Sequence, residues 1–206
     1  VIVRALAAMM FLAPALALAA CADVLSQSSG PVAATITFKH QAPLSVDVAR
    51  IELVETWQQS GTPPHIGHLN RNNPPKIIRA WVRDRLKAVP GGPGAAQGSI
   101  LRVVLRDGAV VRNALDVREG VEGIFRDEVD TSIEAVCAVD VELLDQKGTR
   151  MAGITVRVTG TRNIFESASL NERDTLYFGL MEELATALNT ELENGMRAEL
   201  GFLLTR

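Results

Sequence analysis

The chain is short of the residues that mark several common protein classes. Of its 206 residues, 2 are cysteines and 3 are histidines. Two thiols cannot build a disulfide framework, and zinc sites take three or four ligands. Neither sign of charge dominates, with 21 Lys and Arg against 24 Asp and Glu. That balance predicts no electrostatic footprint for nucleic acid and no polybasic membrane patch. There is no G-x-S-x-G nucleophile elbow and no H-E-x-x-H helix. The glycine-rich "GGPGAAQG" follows a predicted helix and precedes a predicted strand, the reverse of a phosphate-binding loop. The acidic pairs Asp127–Glu128 and Glu182–Glu183 are sequence neighbours and read as solvated surface. The expectation is a non-enzyme without metal or cofactor. A hydrophobic fraction of 47% with 22% charged residues is nevertheless that of a folded globular domain.

Long apolar runs are also scarce, and the single one lies at the start. Ala5 to Ala20 carries no charge and follows Arg4. As a helix it would rise roughly 24 Å, short of the ~30 Å hydrocarbon core, so a secretory signal fits better than a span. It ends in Leu18-Ala19-Ala20-Cys21. This tetrapeptide resembles the lipobox of bacterial lipoproteins. The resemblance implies cleavage between Ala20 and Cys21, with diacylation of the Cys21 thiol (palmitate among the acyl groups) and acylation of its new amino terminus. One acyl chain binds a bilayer only marginally, whereas two or three hold it lastingly. The expected organisation is a signal peptide over 1–20, a lipidated Ser-, Ala- and Gly-rich tether over 21–32, and one domain over 33–206.

Within that domain, "ATITFKH" alternates as a half-buried strand. "VDVARIELVETW" reads as a second strand whose change of apolar phase places a bulge near Ala49 or Arg50. A helix capped by Asn73, with Pro74 and Pro75 in its first turn, is predicted to run about four turns. Its apolar face would hold Ile78, Trp81, Val82, Leu86 and Val89. Three strands follow: "ILRVVLRDGAVV", "SIEAVCAVDVELLD" and "MAGITVRVTGTRNI". The last two are joined by a tight turn at Asp145–Gly148. Cys137 falls mid-row among inward residues, as a packed, inert thiol. Ser169 and Glu172 form a capping box before a long helix. Leucines or methionine recur there every fourth residue from Leu176 to Leu200, broadened by Tyr177, Met181 and Ala187. Its polar face would carry Glu182, Glu183, Asn189, Glu193 and Arg197. The order β-β-α-β-β-β-α predicts an α+β two-layer sandwich, with two helices on one face of a mostly antiparallel sheet of four to five strands.

Two further segments bear on function. His65 and His68 form H-x-x-H in a Pro-rich loop without a third ligand nearby, which reads as surface. The stretch Asp116–Asp130 is longer than a hairpin connection needs. Its apolar Val121, Ile124 and Phe125 are expected either to cover one end of the core or to contact a partner protein or lipid.

Lipobox, short tether and sandwich together resemble two groups of small envelope lipoproteins: the lipopolysaccharide-assembly lipoprotein, and the auxiliary lipoprotein of ABC-type transport. "LSVDVARIEL" and "SLNER" also resemble segments of other proteobacterial lipoproteins. The resemblance implies a non-catalytic accessory or assembly component of the cell envelope, facing the periplasm. Its implied partners are the membrane, through the N-terminal lipid, and an envelope protein complex or lipid. A periplasm-facing hydrolase or ligand-binding enzyme is the alternative. Ala22 after Cys21 points to the outer membrane by the enterobacterial sorting rule, while Asp23 leaves the inner membrane open.

Overall fold

The computed structural model describes residues 34–93, 98–115 and 129–205, with the side chains of Val129 and Asp130 excepted. These lie in one compact unit, Ala33–Arg206. Its described core is a single cluster running from Phe38 to Leu203.

The order is β1 (Leu44–Val46), β2 (Arg50–Glu55), α1 (Pro74–Arg85), β3 (Leu86–Ala88), β4 (Ile100–Asp107), β5 (Val110–Ala114), β6 (Val129–Leu144), β7 (Arg150–Phe165) and α2 (Leu170–Glu199). Short 3-10 turns occupy Gly67–Leu69 and Gly201–Leu203. The main sheet runs β2-β4-β6-β5, with β7 along the other edge of β6. Among the described residues only the β2–β4 pair in it is parallel. Both helices contribute their buried faces to the same core as the inward rows of the strands, which makes the fold an α+β two-layer sandwich.

The β6–β7 hairpin is the backbone of the sheet, and its sequence explains it. Ile133, Ala135, Cys137, Val139 and Val141 alternate inward on β6, facing Ile154, Val156 and Val158 on β7. The turn is closed by Asp145, whose Oδ1 accepts from the N–H groups of Lys147 and Thr149. Gly148 takes the positive φ of 83° that the turn requires. Helix α2 begins with both halves of its capping box, Ser169 Oγ accepting from Glu172 N–H and Glu172 returning to Ser169 N–H. Leu180, Leu184, Leu188, Leu192 and Met196 are all buried. The helix lies close on β7 because Gly160 has no side chain; a Cβ there would sit 2.7 Å from Leu180 Cδ1.

The structure departs from the sequence pattern in several places, each for a local reason. Residues 34–40 form no strand. Ile36 N–H and Phe38 N–H donate to the side chains of Asn72 and Asp84, and Ala34 O accepts from Asn72. The alternation there is real, since Phe38 is buried, but side chains near and within α1 replace a sheet ladder. The expected bulge at Ala49 or Arg50 is a full break. Val46 belongs to a two-stranded parallel sheet with β3, while Arg50 begins the pairing with β4. Helix α1 stops at Arg85 because Leu86–Ala88 extends to pair with β1, so Leu86 and Val89 are not helical. "ILRVVLRDGAVV" splits at Gly108 into β4 and β5, which pair end to end along one side of β6. A Cβ at Gly108 would press on Pro75 at 3.1 Å and Trp57 at 3.3 Å. On α2, Asn189 is buried and Ala187 exposed, the reverse of their expected faces.

Cys137 is fully buried, and burial, followed by the nearby charge of Asp107, pushes its thiol from the ordinary 9.0 to about 12. Above pH 9 the unfolded chain would release a proton that the folded chain keeps. Stability should therefore fall as pH rises through this window, by up to about 1.4 kcal/mol per unit. Burial raises the Tyr177 hydroxyl too, which steepens the fall above pH 10. Urea titrations from pH 8 to 11 should show a shallower decline for Cys137→Ala than for wild type; identical slopes would contradict the assignment.

Candidate functional site

Cys21, Ala20, Val121, Ile124 and Phe125 lie outside the described residues. Of the two loop histidines, His65 forms an isolated bridge with Val111 and His68 is exposed. Among the described residues no group of three or more His, Cys, Asp or Glu is placed to hold a metal ion.

What the fold does assemble lies around α1. Ile77, Ile78, Trp81 and Arg85 face inward, which leaves Lys76, Arg79 and Arg83 along the solvent side at helical spacing. Two hollows flank this row. The first, about 310 Å³, is lined by Glu55, Trp57, Gln58, Gln59, Lys76 and Arg79, among others. Glu55 takes a bidentate pair from Arg79, with both contacts at 2.6 Å. The second, about 230 Å³, has a floor of Ile36, Ile77 and Ala80 and a rim of Arg71, Lys76, Arg79 and Arg83. Asp84 pairs with Arg83 and accepts from Phe38 N–H. Arg83, and next to it the Phe38 N–H, hold its carboxyl below the usual carboxylate range. Neither Arg71 nor Lys76 is ion-paired among the described residues. The balance of charge over the whole chain concealed this: four cations share one rim with an apolar floor, and two carboxylates, Glu55 and Asp84, pair with them. The second hollow therefore sets cationic side chains around apolar ones.

Behind α1 sits a buried polar cluster that sequence reasoning missed. Arg85 donates to Asn189 Oδ1 at 3.0 Å, to Ala42 O and to Glu193. Trp81 Nε1 donates to the same Asn189 oxygen at 3.0 Å. The signal available was the spacing of four between Trp81 and Arg85, and between Asn189 and Glu193. Each pair lies on one helix face. The cluster ties α1 to α2 and so fixes the direction in which the cationic row points.

The sheet face opposite the helices carries charged side chains beside the buried Val104 and Ala138. Asp140 is buried there between Arg106 Nε at 2.6 Å and Thr155 Oγ1 at 2.8 Å. Arg157 reaches Asp107 at 3.4 Å. These are cross-strand pairs of the kind that order a solvated face.

No protein-family model and no curated protein matches this sequence. Solved structures similar to it include a minor lipoprotein from Acinetobacter baumannii, at 12% identity and TM-score 0.34, covering 69% of this chain and 91% of that one. The rare lipoprotein B from Shewanella oneidensis aligns at 11% identity and TM-score 0.36, covering 70% and 92%. A lipoprotein from Neisseria meningitidis aligns at 9% identity and TM-score 0.25, covering 74% and 99%.

Proposed function

We propose that this chain is a lipid-anchored, non-catalytic protein of the bacterial envelope, an accessory that binds a partner protein or lipid on the periplasmic side. The observation that carries the reading is Leu18-Ala19-Ala20-Cys21 at the end of the apolar run. Ala19 and Ala20 leave room for a peptidase, Leu18 fills an apolar subsite, and the cysteine supplies the thiol. The 12 residues 21–32 that precede the compact unit are read as a tether from their Ser-, Ala- and Gly-rich sequence. The second cysteine, Cys137, is sealed in the core and cannot serve as the acylated thiol. The 230 Å³ hollow beside α1 offers an apolar floor and a cationic rim, a chemistry suited to binding. Ala22 at the position after Cys21 supports outer-membrane residence, and Asp23 leaves the inner membrane open.

The test is metabolic labelling with an alkyne palmitate in a bacterial host, comparing wild type with Cys21→Ser. Wild type should incorporate label and fractionate with membranes, and the variant should incorporate none. Equal labelling of both, or none in wild type, would overturn the reading.

A further inference from the structure

We propose that the α1 row forms a second, electrostatic contact with the bilayer, docking Arg71, Lys76, Arg79 and Arg83 onto anionic lipid headgroups. The inference rests on the lipid-anchored reading and adds an orientation to it.

Three observations carry it. The first is charge complementarity. In a chain of net charge −3, four cations line one 230 Å³ hollow. Their heads face water, with Arg79 and Arg83 side chains 51% and 60% exposed. Two carboxylates, Glu55 and Asp84, answer them, which leaves an excess of positive charge. The second is an adjacent apolar group. Leu69, two residues before Arg71, is 69% exposed, and an apolar side chain beside a cationic row suits insertion at the level of headgroup and acyl chain. The third is where the chain enters. Thr35 and Ile36, near the first described residue, line the same hollow. Ala34 stands 13 residues after Cys21, and that stretch reaches at most about 45 Å when extended. A tether rooted at the hollow lets the cationic face lie against the membrane that holds the lipid.

The hydrogen bonds of the segment 34–38 give the surface its rigidity. Asn72 holds Ile36 and Ala34, and Tyr177 Oη donates to Asn72 O. Asp84 holds Phe38 N–H. The segment 34–38 and the cationic row are therefore fixed to one another.

The experiment uses the chain from Ala22 onward, which contains the whole folding unit and no lipid. It is mixed with vesicles of phosphatidylcholine alone, or of phosphatidylcholine with a third phosphatidylglycerol, and sedimented. Binding is expected to the anionic vesicles only, and it should weaken as salt is raised. Arg71→Gln with Lys76→Gln should lower it about 25-fold, from about fivefold per cation near an anionic surface. Both side chains are exposed, so circular dichroism should show an unchanged fold. Arg157→Gln with Lys147→Gln removes the same charge from the open sheet face and the β6–β7 turn, and should weaken binding far less. Equal binding to both vesicle types, no binding to either, or equal losses in the two charge variants would overturn the proposal. Absence of binding here would leave acylation of Cys21 untouched, and failure of acylation would leave the vesicle result standing.

Discussion

Leu188→Ala is expected to cost the domain about 2–5 kcal/mol, measured by urea unfolding, as truncations of fully buried leucines do. Leu188 sits at 0% exposure near the middle of α2, in the row that continues through Leu184 and Leu192. Its removal leaves a void between a helix and a sheet that cannot both collapse inward, because β6 and β7 are held by a continuous ladder from Ser132 to Leu143. The loss should appear in the midpoint with an unchanged denaturant slope. A cost under about 0.5 kcal/mol, the range of surface substitutions, would mean that the helix packs elsewhere.

One residue further on, Asn189→Ala should cost about 3 kcal/mol for a different reason. A single Oδ1 accepts from both Trp81 Nε1 and Arg85 Nε, and both donors are buried. Truncation leaves an indole N–H and part of a buried guanidinium without an acceptor, each carrying a desolvation penalty. Glu193→Gln should cost less. Glu193 is partly exposed, and Arg85 keeps Asn189 and Ala42 O as acceptors. If the two substitutions cost the same, the cluster is held by its charge pair and not by the asparagine.

The contrast between these neighbours shows what a sequence discloses. The leucine row, the capping box and the β6–β7 alternation are strong because one pattern repeats over many residues, and each is found where the pattern puts it. The inward row through Cys137 was legible for the same reason. Asn189 was not, because a polar residue beside an apolar stripe reads as solvent-facing unless its partner is known, and the partners lie 104 and 108 residues away. The two strand breaks were hidden for a related reason. Nothing in "VDVARIEL" announces that its halves join different sheets, and Gly108 marks the β4–β5 split only once Pro75 and Trp57 are packed against it. Helix α1 overran its end in the sequence reading because no glycine or proline stops it before Pro90. The stop is imposed by β1. The cationic rim was invisible to a whole-chain charge count, since Arg71 lies in a loop and becomes a neighbour of Arg83 only in the fold.

On the proposed reading the mature protein begins with an acylated Cys21, and the decisive experiment is the mass of the protein extracted from membranes. The expected mass is that of a chain that lacks Val1 to Ala20 and carries a diacylglyceryl group and an amide-linked acyl chain on its first residue. A mass matching the full chain, or a chain cut elsewhere with an unmodified thiol at Cys21, would contradict it.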